Sequence, residues 1–109
     1  MNDLLAHFKQ FDDDNPIVWF YFAFFTDEAI RHGVKKLGGQ LIIERVRWEV
    51  FIITKGDEFK INNDFTAFYV RKWLCTHQNQ LEFFDIRRIR RIECDWDMEG
   101  WRRFFGFPP

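Results

Sequence analysis

The only long apolar run in this chain is IVWFYFAFF at residues 17–25, and acid closes it on both sides: Asp12, Asp13 and Asp14 before it, Asp27 and Glu28 after it. A bilayer span needs roughly twenty consecutive apolar residues. A run this short has to be a helix segment buried by the rest of the chain, which must therefore supply the surfaces that cover it. The 109 residues suffice for one domain, 1–109, with a core expected over about 15–92 and an Arg/aromatic tail at 93–109. Charged residues at 30% exclude a membrane protein, and the 47% apolar content argues against disorder.

Aromatic content is where the composition is unusual, with 15 Phe and 5 Trp. Rings bury much area per residue and suit a compact core. A surplus beyond what one core can hide points to a partner surface. The first residues, MNDLLAHFKQFDDD, lack the basic start, apolar middle and small-residue cleavage site of a signal peptide. Cys75 and Cys94 make neither a metal spacing nor a disulfide framework, so free thiols in a cytoplasmic chain are expected.

The formal net charge of −1 conceals a segregation. Residues 1–34 carry 2 basic and 6 acidic side chains, residues 35–91 carry 12 and 7, and residues 92–109 carry 2 and 4. A basic centre between acidic ends is compatible with nucleic-acid contact, although the total is far from that of a strongly basic binder.

Along the chain, Asn15 before Pro16 reads as a cap and first-turn proline. Lys35 and Lys36 before Gly38 read as the matching helix end, with cations at the negative terminus and a left-handed glycine beyond. Thr26-Asp27-Glu28 could start a second helix within that span, so one long helix or two are expected. From Gly39 the pattern is helical: Ile42, Ile43, Val46 and Val50 share one quadrant of a helical wheel, Arg45 and Arg47 lie outside it, and Trp48 sits at its edge. VFIIT at 50–54 is β-branched and short, Lys55-Gly56-Asp57-Glu58 supplies a turn, and FKI at 59–61 alternates, so a β-hairpin is expected here. Asn62-Asn63-Asp64 then caps a helix over FTAFYVRKWLCTH. DIRRIRRI at 85–92 reads as a short amphipathic helix or an extended strand. The aromatic end, with Trp101, Phe104, Phe105 and Phe107, either folds onto the core or seeks a partner.

Catalysis finds little support. His7, His32 and His77 are scattered, Asp12-Asp13-Asp14 suits a solvated capping region, and no phosphate loop, nucleophile elbow or zinc spacing is present. A non-enzyme without cofactor, metal or small-molecule substrate is expected. Helix, Gly-Gly connection, helix and hairpin in that order suggest a winged-helix-like arrangement, with a helix in the major groove and the hairpin on the backbone or in the minor groove. The candidate contacts are Lys35, Lys36, Arg45, Arg47, Lys60, Asn62, Arg71, Lys72, Arg87, Arg88, Arg90 and Arg91, with Asn63 as a further reach toward an adenine edge or phosphate. The alternatives are that Arg45 and Arg47 pair with Glu44 and Glu49, and that the Arg87–Arg91 cluster faces acidic protein.

Two stretches, DEAIRHGVKKLGGQLIIERVRWE at 27–49 and FKINNDFTAFYVRKWL at 59–74, resemble a group of small bacteriophage and prophage proteins. The shared pattern is an EAI-x-x-G helix (Glu28, Ala29, Ile30, Gly33), an R-x-RWE helix (Arg45, Arg47, Trp48, Glu49), an FKINN corner and a Y-x-R helix (Tyr69, Arg71). It covers about half of the chain, and the arginine-rich and aromatic tail after Phe84 departs from it. The resemblance implies phage origin and a place in the bacterial cytoplasm. It implies no one activity; small phage proteins of this size commonly regulate DNA transactions or inhibit a host protein, CRISPR nucleases included.

The expected fold is thus α+β: a mainly helical single domain with one β-hairpin, winged-helix-like. The leading expectation for function is nucleic-acid binding, DNA first. The rival is an inhibitor that binds a host defence protein, favoured by the acidic ends and surplus rings.

Overall fold

The computed structural model describes residues 3–56, 60–84 and 97–108. These residues form α1 (Asp3–Asp14), α2 (Pro16–Arg31), α3 (Gly39–Ile53), a 3-10 turn (Asn63–Phe65) leading into α4 (Thr66–Thr76), a second 3-10 turn (Gln78–Gln80) and α5 (Met98–Phe105). The α+β, winged-helix-like expectation is therefore corrected. Among the described residues there is no strand, and the one β-bridge, Leu37 with Phe84, is isolated. No helix among them is long and apolar enough to cross a membrane.

The stretch at 50–54 is where the strand reading fails. Val50 to Ile53 continue α3, with Val50 buried one turn beyond Val46. A β-branched residue costs only a few tenths of a kcal/mol in a helix, whereas an existing helix propagates without a new nucleus. Residues 54–56 are then a helix end and not a hairpin turn. Lys55 N–H bonds the Ile52 carbonyl at 3.2 Å and Gly56 N–H bonds the Phe51 carbonyl at 2.8 Å, which is the Schellman pattern. Its left-handed position, usually a glycine, holds Lys55 with φ 59°.

Pro16 opens α2 as expected, but the Asn15 side chain does not cap it; its Nδ2 donates back to the Phe11 carbonyl of α1 at 3.0 Å. The helix runs unbroken through Thr26-Asp27-Glu28 and ends at Arg31. The left-handed residue beyond it is Gly33, φ 87°, while Gly38 is extended and precedes α3. Lys35 and Lys36 thus lie in the connection and not in a last turn. Helix α1 was not anticipated, although Leu5 and Phe8, three apart and both buried, carry its inward face.

Helix α4 is the centre of the molecule. Phe68, Tyr69, Val70, Trp73, Leu74 and Cys75 are all buried on it. Phe8 of α1 meets Phe68 and Tyr69 at ring distances of 5.1 and 5.0 Å, Phe22 of α2 meets Tyr69 at 5.6 Å, and Trp101 of α5 meets Phe68 at 5.8 Å. Helix α3 comes so close that a Cβ on Gly39 would lie 2.5 Å from Val70 Cγ2. The tail folds onto this core: Trp101 is buried, and Arg102 donates to the carbonyls of Cys75 and Pro108. A cation at the carbonyl end of α4 is also favoured by the helix dipole.

Candidate functional site

The cations named from the sequence divide into an outer and an inner set. Lys35, Lys36 and Lys60 are exposed. Arg45 is half exposed, pairs with Glu49 at 3.3 Å, and places its guanidinium 4.6 Å from the centroid of the Phe25 ring. Arg47, two residues on, turns inward. It donates to the Ile61 carbonyl at 2.7 Å, to Asn63 Oδ1 and to Glu44, tying α3 to the corner that starts α4. Arg71 is buried, donating to the Ala67 carbonyl at 3.0 Å and lying over the Trp101 ring. Lys72 is mostly buried too, 2.6 Å from Asp12 and 4.6 Å from the Trp19 ring centroid. Asn62 caps the 3-10 turn by accepting from Asp64 N–H at 2.9 Å, and Asn63 serves Arg47. Arg87, Arg88, Arg90 and Arg91, with the whole amphipathic segment at 85–92, lie outside the described residues. Arg47, Arg71 and Lys72 are bonded into the fold, and among the described residues there is no wing for Lys60 to sit on.

One cluster has the spacing of a catalytic triad. His77 Nε2 is 3.3 Å from Asp27, and its Nδ1 is 2.8 Å from Thr76 Oγ1. The contacts are those of a helix end. His77 Nδ1 also faces the Trp73 carbonyl at 3.0 Å, in the last turn of α4. The Thr76 hydroxyl is itself 2.8 Å from that carbonyl. His77 instead stacks on Trp73 at 3.9 Å, and Asp27 accepts from Trp73 Nε1 at 3.2 Å, closing α2 onto α4. Cys75 is no better placed. Burial, opposed by Arg102, pushes its thiol up to about 11, away from the reactive thiolate. Burial likewise pushes the Tyr69 hydroxyl upward, with the Asp12 charge adding to it. Among the described residues no group of His, Cys, Asp and Glu could hold a metal ion.

What the fold leaves outside is apolar. Ile17, Phe20 and Phe24 form a stripe along α2, opposite the buried Val18, Phe22 and Phe25. Phe20 and Phe24 stack at 6.1 Å, and the Arg31 guanidinium lies 5.9 Å from the Phe24 ring. Along α3, Leu41, Trp48, Phe51 and Ile52 lie on the side away from the buried Ile43, Val46 and Val50. Leu41 is 62% exposed, Phe20 59% and Trp48 57%, values expected of lysines and not of the largest apolar side chains. Phe24 touches the buried Phe25, whose ring Arg45 covers, so a guanidinium over a ring lies between the two stripes. Where α2 ends and α3 begins, an open groove of about 640 Å³ is lined by Phe25, Ala29, Val34, Leu37, Leu41 and Ile42, with Glu28, Glu44 and Arg45. Reading the sequence for cations missed these residues. The signal was present in the ring surplus and in the wheel positions of Ile17, Phe20 and Phe24.

No family model, curated protein or solved structure matches this chain.

Proposed function

We propose that this protein acts by binding another protein through the exposed apolar face of α2 and α3, without chemistry of its own. One observation carries the reading: Phe20, Phe24, Leu41, Trp48, Phe51 and Ile52 are all outside the core, on two adjoining helices, in a chain whose interior is already filled with rings. Desolvating exposed apolar side chains is the main favourable term in protein association, and Trp is among the residues that most often dominate it. The resemblance to phage and prophage proteins supports a partner in the bacterial cytoplasm, with a host defence protein such as a CRISPR effector as the class to test first. The test is capture from host lysate, followed by reconstitution with the purified protein that is retained. A single stoichiometric partner, lost when Phe20 is replaced by Asp, supports the proposal. An eluate that holds only nucleic acid contradicts it.

A second reading keeps nucleic acid as the partner. It is favoured by Arg31, Lys35 and Lys36, which are exposed together where α2 ends. In that case gel-shift affinity for duplex DNA falls steeply with salt as counterions are released, and Lys35→Ala with Lys36→Ala lowers the slope. Absence of any shift at low salt removes this reading.

A further inference from the structure

Asp12 differs from its neighbours in the acidic run that precedes Asn15. Asp13 and Asp14 are exposed, whereas the Asp12 side chain is only 13% accessible and turns toward α4. There its Oδ2 accepts from Lys72 Nζ at 2.6 Å. Its other oxygen, Oδ1, is sealed from solvent and has no hydrogen-bond partner among the described residues. The Tyr69 hydroxyl, three residues before Lys72 on α4, is in the same condition. The two groups share their surroundings. The Tyr69 ring stacks on Trp19 at 6.5 Å, and Lys72 Nζ lies 4.6 Å from the centroid of that same Trp19 ring while it bonds Asp12. The Asp12 charge also acts on the hydroxyl, helping to keep it protonated and therefore a donor.

A buried carboxylate oxygen without a donor and a buried phenol without an acceptor each cost free energy, and such groups are normally satisfied. These two are complementary in sense but are not bonded to each other. We infer that one internal water molecule bridges them, accepting from the Tyr69 O–H and donating to Asp12 Oδ1. Internal waters occupy polar sites of this kind, held by groups that nothing else serves. The Lys72–Asp12 pair already supplies one charge of each sign, so a further cation would meet the ammonium and a further anion the carboxylate. What fits is a neutral molecule that both donates and accepts. Tyr69 is fully buried among Phe8, Trp19 and Phe22, which restricts the molecule to a small one. The Lys72 ammonium has two hydrogens beyond the one on Oδ2 and can complete a third bond. The bridge fastens the C-terminal end of α1 to the middle of α4, beyond the apolar contacts of Leu5 and Phe8. It owes nothing to the exposed rings of α2 and α3, and it holds whether or not those rings bind a partner.

Two measurements on the full chain test it. A high-resolution crystal structure is expected to show a water oxygen within hydrogen-bond distance of both the Tyr69 hydroxyl and Asp12 Oδ1. A direct Tyr69–Asp12 bond, or a hydroxyl that faces only apolar atoms, overturns the inference. Denaturant titration reads the same bridge through Tyr69→Phe, which keeps the ring and removes only the donor. The folding equilibrium constant is expected to fall about fivefold, as for the loss of one hydrogen bond. In an Asp12→Ala chain the same replacement is expected to change the constant by less than about twofold, because the acceptor at the far end is gone. A Tyr69→Phe chain as stable as the parent, or more stable, overturns the bridge, since the hydroxyl then had no partner to lose. An equal loss with and without Asp12 overturns it too, since the hydroxyl is then served from elsewhere.

Discussion

Helices α3 and α4 both mix large apolar side chains with two cations, and they use them in opposite ways. On α4 the rings and aliphatics point inward on nearly every side, because α2, α3 and α5 pack against it and Phe8 of α1 meets its rings. Its cations follow: Arg71 lies over the Trp101 ring, and Lys72 is held between Asp12 and Trp19. On α3 only the face of Ile42, Ile43, Val46 and Val50 finds neighbours, and Trp48, Phe51 and Ile52 remain in solvent. Local hydrophobicity does not decide burial; the number of packed neighbours does. The two arginines of α3 repeat the contrast at smaller scale, Arg47 bonded into the Ile61–Asn63 corner and Arg45 spread over Phe25 at the surface.

The largest effect that could break this comparison comes from exchanging the two tryptophans for alanine. Trp73→Ala is expected to cost about 3–5 kcal/mol of unfolding free energy, and Trp48→Ala to stay within about 0.5 kcal/mol. Denaturant titration of both variants checks it, and equal losses would erase the distinction between the helices. Next is Lys72→Ala, which leaves the mostly buried Asp12 without its cation and costs about 3 kcal/mol by the same measurement. A loss typical of a surface pair, below about 1 kcal/mol, would return Lys72 to the list of contact residues. Arg47→Ala removes hydrogen bonds from a charged donor to Ile61 and Asn63 and is expected to cost about 2 kcal/mol. Arg45→Ala is expected to cost less than about 1 kcal/mol, since its pair is solvent-facing. The smallest effect has the opposite sign. Lys55→Gly relieves a left-handed side chain, and with glycine's greater unfolded-state freedom offsetting part of the gain it raises stability by about 0.5 kcal/mol.

Much of the helical frame could be read directly from residue patterns. Pro16 starts α2, and Ile42, Ile43, Val46 and Val50, predicted as one face, are all buried. The Asn62–Asp64 corner is a cap, although Asn62 performs it while Asn63 receives Arg47. The misreadings have two physical origins. Residues 50–54 look like a strand locally, and only the continued burial phase of α3 shows that a helix is cheaper to extend than to end. Arg71 and Lys72 look like surface because charge usually is. Their partners are Trp101 and Ala67 in one case and Asp12 and Trp19 in the other, and all but Ala67 lie on other helices, outside any local window. The exposed stripes were hard to see for the converse reason: an apolar residue at helical spacing reads as core until the core is found to be full.

The central claim is that the outer rings of α2 and α3 serve binding and not folding. Replacing Phe20 and Trp48 together by Asp tests it most directly, with thermal melting and partner capture measured on the same sample. The account predicts a melting temperature unchanged or raised and capture lost. A melting temperature lowered by more than about 8 °C, which corresponds to at least 1 kcal/mol in a domain of this size, with capture intact, would contradict it.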